Sequence, residues 1–385
     1  MTQTAFRIAA RVLIVCGALA LAGCSVLDSL PFFKGSEKPK PAELPPNPAL
    51  MAVRPAWTAR IGQVSFPLTV AVNGTTVSVA SSDGTVAAID AATGRDVWRT
   101  NVKAPIAAGV GSDGKVAAVV TTTNEVVTLS AGKELWRQKL SAVSYTPPFV
   151  AGARVFVLTA DRSVTAFDGQ TGRKLWTQQR PGEPLVLRQS GVMLAVGDTL
   201  VAGLSGRMVG LNPLNGSVRW EAPLATPRGI NDVERLVDLV GSVSRVGDVV
   251  CARAFQAAVG CVDASRGGVL WTKPANGAQG VHGDQTLVFG TEADGKVIAW
   301  RRSNGERVWV NDRLRYRGLT APLAIGRSVV VGESTGLVHF LSREDGSLLH
   351  RMSTDGSAIA AAPVVAGNTL VVVTHNGGIF GFVPE

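Results

Sequence analysis

Four cysteines, four histidines and 29 acidic residues are the groups in this 385-residue chain that metal, nucleophilic or redox chemistry would use. The histidines, His282, His339, His350 and His375, fall in separate segments without the close pairing of a zinc site. The carboxylates show no calcium-loop spacing. No nucleophile elbow or phosphate-binding loop is present. These patterns predict no catalytic residue and no metal site. Cys251 and Cys261 bracket the stretch CARAFQAAVGC and are a candidate disulfide. A two-residue turn at Gln256 and Ala257 would pair Cys251 with Val262 and send the thiols to opposite faces, whereas a bulge would change that register. Cys24 differs from both, because it ends an apolar run and follows the small residues Ala22 and Gly23.

The first 30 residues read as an address. Arg7 and Arg11 make a basic start, and the apolar run from Val12 to Ala22 is too short to span a bilayer comfortably. Leu21-Ala22-Gly23-Cys24 resembles the lipobox of bacterial lipoproteins. That resemblance implies a signal peptide over residues 1–23 and a covalent lipid on Cys24, with no other cofactor. Ser25 stands where an Asp would imply retention in the inner membrane. The implied address is therefore the outer membrane, lipid-anchored and facing the periplasm. Residues 24–54 follow as the lipidated terminus and a proline-rich tether, which favours extended conformations. Its apolar ALMAV end also suits packing on the body.

Beyond the tether, 46% hydrophobic against 17% charged residues allows a large core. Removing Arg7 and Arg11 lowers the formal charge from +9 to +7. The remaining Lys and Arg are scattered singly, without the clustering that a phosphate backbone requires, so nucleic acid is not an expected partner. Val-rich runs bounded by Gly, Asp and Asn recur throughout, which predicts an all-β chain.

A repeat organises those strands. Trp57, Trp98, Trp136, Trp176, Trp220, Trp271 and Trp309 are spaced by 38 to 51 residues, and His350 takes the next place 41 residues on. A glycine stands four residues before each of the last seven of these positions, from Gly94 to Gly346. Asp or Asn stands eight residues before at Asp90, Asp168, Asn212 and Asp263, while Arg301 and Ser342 depart from the pattern. A side-chain oxygen can cap the turn, glycine can supply its positive φ, and the Trp must be buried against a neighbour. With a tight hairpin upstream, such as SDGT or ADRS, each unit holds four antiparallel strands, the blade of a propeller. Trp57 has no three strands before it, and three strands without an aromatic fourth follow His350. Joining them makes an eighth blade, so residues 55–385 are expected to close as an eight-bladed β-propeller.

The Asp-x-x-x-Gly-x-x-x-Trp unit is similar to the repeat of quinoprotein-type propellers. Two families suit eight such blades behind a bacterial signal. Quinone-dependent dehydrogenases need calcium, an aspartate base and often a disulfide between adjacent cysteines, and no two cysteines are adjacent here. The lipobox, tether and lone propeller resemble instead the BamB family, lipoprotein propellers of the outer-membrane β-barrel assembly machinery. This resemblance implies a non-catalytic scaffold that binds the periplasmic modules of the barrel subunit, with contact to nascent outer-membrane proteins as an extra role. A periplasmic binding propeller with another partner is the further alternative.

Pro184 to Arg188, PLVLR, is similar to the Leu-x-Leu-Arg stretch with which that family contacts the barrel subunit, so Leu185, Leu187 and Arg188 carry over. The two leucines would also suit blade core. The family's acidic pair is represented only by Asp238 in ERLVDLV, since Val240 replaces the second acid. These segments follow Trp176 and Trp220, so both connections should emerge on one face. The second is lengthened by about ten residues, and insertions on one face mark a binding face.

Overall fold

The computed structural model describes residues 39–181 and 185–385. It divides into an N-terminal unit, Met1–Pro41, and a body, Ala42–Glu385. The segment expected to be a signal peptide and Cys24, the expected lipidation site, lie outside the described residues.

Among the described residues, every sheet has four antiparallel strands, and there are eight of them. Blades 1 to 7 span residues 71–101, 106–139, 149–179, 193–223, 239–274, 281–311 and 323–353. Blade 8 joins Val364–Ala366, Thr369–Val373 and Gly378–Pro384 from the C-terminus to Val53–Arg60 from the N-terminus. This is the closure expected from the two incomplete ends. It pairs what would be the exposed edges of two partial sheets. The first strand of each blade lines a central channel of about 1130 Å³, whose wall includes Phe66, Val110, Phe149, Met193, Leu323 and Val365.

The second and third strands are the buried ones, as in Thr76–Ala80 and Thr85–Asp90, because both of their faces meet neighbouring blades. The fourth strand is half exposed and carries the Trp. A bulge sits immediately before each Trp, at Ala88/Ile89 in blade 1 and at Pro55/Trp57 in blade 8. It turns the preceding residue outward, which accounts for the exposure of Val97, Leu135, Leu270 and Val308.

The repeat read along the chain is a relation between neighbours in space. The Trp of one blade lies on the glycine of the next. A Cβ added at Gly94, Gly172, Gly216, Gly267 or Gly346 would stand 2.5–2.7 Å from the indole of Trp57, Trp136, Trp176, Trp220 or Trp309. All five glycines have φ between 70 and 76°. Position and conformation both exclude a side chain. At five joints the indole N–H then donates to a carbonyl of the same turn, as from Trp57 to Ala91 (2.8 Å), Trp136 to Gly169 (3.0 Å) and Trp271 to Arg302 (2.7 Å). Trp220 Nε1, by contrast, is buried without a hydrogen-bond partner among the described residues. Asp90 and Asp168 cap those turns by accepting from the N–H and hydroxyl of Thr93 and Thr171.

The proline-rich stretch is not tether throughout. From Ala42 it lies along the outer strand of blade 7. Leu50 N–H donates to Leu349 O (2.8 Å), Asn47 Nδ2 donates to Arg351 O (3.0 Å), and Leu44 and Met51 pack on the adjoining cores. Strand pairing then begins at Val53, two residues ahead of the boundary expected at residue 55. Apolar side chains between prolines explain the difference: composition favours an extended chain, and an extended chain suits a sheet edge.

Candidate partner-binding site

Each turn between second and third strands lies beside the connection that leaves its own blade. The turn's backbone carbonyl accepts an N–H from that connection, as Gly84 does from Val102 (2.9 Å), Asn124 from Leu140 (2.8 Å) and Gly336 from Thr354 (3.0 Å). Turns and connections therefore share one face. The connection from blade 3 to blade 4 carries Leu185, Leu187 and Arg188, and the longer one from blade 4 to blade 5 carries Asp238.

Residues 185–191 are pinned at four points. Leu185 O accepts from Arg162 Nη2 (3.0 Å), and Leu187 N–H donates to Asp238 Oδ2 (3.1 Å). Ser190 O accepts from Gly241 N–H (2.8 Å), and Gly191 N–H donates to Thr146 Oγ1 (3.0 Å). Ser190 Oγ also meets Thr69 Oγ1 at 3.3 Å, so this segment reaches the one that enters blade 1. Between these points Leu185 is 40% exposed, and Arg188 is exposed at the channel wall. Among the described residues Arg188 has no hydrogen bond or ion pair. Leu187 is half-buried and lines a cavity of about 50 Å³ with Val186, Leu158, Arg162, Leu204 and Asp238.

Asp238 faces inward. Its other oxygen, Oδ1, pairs with Arg162 Nη1 at 2.5 Å, and the two side chains are 15% and 10% exposed. The sequence expectation grouped Asp238 with the contact residues; the structure places its carboxylate under them. Val240, where the family has a second acid, is buried and bridges Gly191.

The lengthened connection supplies residues that motif matching did not single out. Asn231 Oδ1 accepts Glu234 N–H, and Glu234 Oε2 accepts Ile230 N–H, each at 2.9 Å. This reciprocal pair closes a single turn in the manner of a capping box. It leaves Ile230 99% and Val233 73% exposed. The signal available in the sequence was the excess length itself, with two β-branched residues inside a polar loop.

The remaining candidate groups are structural. Cys251 and Cys261 face each other in register and are joined as a disulfide. The hairpin loop is three residues, Phe255 to Ala257, not the two that would have paired Cys251 with Val262. His282 lies at the channel wall, where burial lowers its pKa, and its Nδ1 accepts Ala324 N–H (3.1 Å). His339 reaches Glu333 inside blade 7. Glu292, the acid at the channel wall, pairs with fully buried Arg253 at 2.8 Å. Among the described residues no three His, Cys, Asp or Glu gather as a metal site. The calcium-held quinone of dehydrogenase propellers thus finds no matching donor set in them.

Comparison with known proteins places the chain. The family described as "Outer membrane protein assembly factor BamB" matches residues 82–311. The protein of that name from Burkholderia pseudomallei is 43% identical over 340 residues, 87% of this chain and 89% of the relative. The Bordetella pertussis protein is 37% identical over 370 residues, 95% of each. Among solved structures, BamB from Moraxella catarrhalis superposes with a TM-score of 0.79 at 26% identity, over 86% of this chain and 99% of that one. The quinohemoprotein alcohol dehydrogenase of Comamonas testosteroni, at 16% identity and a TM-score of 0.67 over 88% of this chain and 77% of its own, shares the fold alone. The match of repeat, ring closure and nearly full-length sequence places this chain in the family of the outer membrane protein assembly factor BamB.

Proposed function

We propose that this chain is a non-catalytic scaffold in the assembly of outer-membrane β-barrel proteins, docking the periplasmic modules of the barrel subunit through Leu185, Leu187 and Arg188. The observation that carries the reading is the contrast within one short segment. Its backbone is fixed at four points while the Leu185 and Arg188 side chains are exposed, the guanidinium with no hydrogen bond or ion pair among the described residues. An exposed leucine beside an unpaired guanidinium has the makings of an interface anchor, because apolar burial and a forked donor act together. Lipidation of Cys24 would hold the body at the periplasmic side of the outer membrane, and nascent barrels are a second class of partner.

Arg188→Glu is the direct test. It should reduce recovery of the barrel subunit from solubilised membranes about tenfold, the scale of losing an anchor arginine. The melting temperature should stay unchanged, since the exposed side chain makes no hydrogen bond or ion pair among the described residues. Undiminished recovery would count against the site. Replacing Cys24 by Ser should move the chain from the membrane to the soluble fraction. Mass spectrometry after cross-linking identifies the partner directly.

A further inference from the structure

Six of the eight turns between second and third strands have one build, in which the last turn residue donates its N–H to the carbonyl three positions back and adopts a left-handed φ. Glycine fills that position at Gly84, Gly295, Gly336 and Gly377, with φ of 95, 86, 78 and 82°. Asn124 fills it in blade 2 with φ 58°, a residue type that tolerates this region. In blade 3 the residue is Arg162, with φ 63°. An arginine pays a steric penalty there that glycine does not.

The turn gains nothing from the side chain. Arg162 O accepts the N–H of Arg180 (3.3 Å), a backbone bond that Gly84, Gly336 and Gly377 make equally well to their own connections. What the arginine adds is a guanidinium that reaches two connections together. Nη2 binds Leu185 O, and Nη1 binds Asp238, whose second oxygen holds Leu187 N–H. Residues 162, 185 and 238 come from three separate stretches of chain. Only a planar fork spans two acceptors in fixed directions, and a lysine ammonium does not reproduce this. Phe255 N–H, on the hairpin that the disulfide crosses, donates to Asp238 O (2.9 Å) and steadies the far side.

We infer that Arg162 is a positioning residue for the partner-binding segment: from a turn position otherwise suited to glycine it clips Leu185 and Leu187 to the blade 4–blade 5 connection through Asp238, so that Leu185 and Arg188 are presented already ordered. Preordering matters because a segment that must be fixed on binding loses affinity to that ordering. Asp238 then acts from beneath the surface and touches the partner only through the loop it shapes. The inference rests on the reading of Leu185 and Arg188 as partner contacts.

Arg162→Gly relieves the backbone and removes the fork but leaves Asp238 buried without its counter-ion. The double variant Arg162→Gly/Asp238→Asn removes that complication. In the isolated full-length protein, amide hydrogen exchange across residues 185–191 should quicken about tenfold or more in both variants, while the double variant keeps the parent melting temperature. Recovery of the barrel subunit should fall in both, and Arg162→Lys should not restore it. Unchanged exchange over 185–191, or full recovery with Arg162→Lys, would overturn the role. Arg188→Glu assayed alongside separates the two layers. If exchange quickens while Arg188→Glu leaves recovery intact, the clip stands and the partner reading beneath it fails.

Discussion

Two joints flank blade 8 and are built differently. On one side Trp57 lies on Gly94 of blade 1 and donates to Ala91, the arrangement shared by Trp136, Trp176, Trp271 and Trp309. On the other side blade 7 presents His350 where a Trp is due. The reason is the covalent break in blade 8. Its third and fourth strands, Gly378–Pro384 and Val53–Arg60, come from opposite ends of the chain, so no Asp-to-Gly turn joins them. A hydrogen bond from Glu385 N–H to Ala52 O (3.1 Å) stands in its place. Without that turn an indole would have neither the flat glycine nor the carbonyl that those five joints supply. His350 packs instead against Phe340 and Met352, and Met51, Val53 and Phe382 fill the joint. Closing a ring with the two chain ends thus removes the turn, and with it the tryptophan.

The largest effect tests closure itself. Deleting residues 376–385 removes Gly378–Pro384 and strips Val53–Arg60 of its partner. Loss of a cooperative thermal transition is expected, and a deletion that melts like the parent would break the account of the joint. Next comes the contrast between joint types. Trp136→Ala should cost about 3–5 kcal/mol by urea denaturation, the range for truncating a large buried aromatic. His350→Ala should cost well under half of that. Equal costs would mean that the missing turn does not set the residue.

A third test reads the segment that covers the unusual joint. Ala42 O accepts from Arg317 Nη1 (2.7 Å), and Arg317 is held by Glu333 inside blade 7. Burial alone would push Glu333 up, but hydrogen bonds from His339, Arg317 and Thr335 outweigh it and hold the carboxyl at about 2, below its ordinary 4.5. A depressed folded-state pKa gives stability that is fully present above about pH 4.5 and is lost as pH falls towards 2. The shift corresponds to roughly 3 kcal/mol. The stability gap between parent and Glu333→Gln should therefore narrow over that window in melting experiments, and a constant gap would exclude Glu333 as the source. The smallest effect on stability belongs to Arg188→Glu, whose consequence should be confined to partner recovery.

The fold was legible because its causes are local and repeated. Strand alternation, the capping Asp, the turn glycine and the Trp all recur within a single unit, and the two incomplete ends counted the blades. The site was legible in part. Leu185, Leu187 and Arg188 followed from their likeness to a family stretch, and the long connection followed from the spacing of Trp220 and Trp271. Arg162 was hidden inside the ordinary-looking hairpin ADRS, since nothing in a turn of that length tells where a guanidinium will reach. The disulfide register was hidden too, because one extra residue in the 255–257 loop reverses which faces the thiols occupy.

The sequence by itself determined the number of blades, the place where the ring closes and the side on which long connections emerge. Only the tertiary structure decided which residues meet across those connections. Asp238 and Arg162 are 76 positions apart and become an ion pair because consecutive blades pack side by side and bring the connections around blades 3, 4 and 5 together. A periodic pattern carries short-range chemistry from unit to unit, whereas a contact between two irregular loops depends on the path of each. The proposed docking segment, residues 185–191, owes its place on this face to the first and its order to the second.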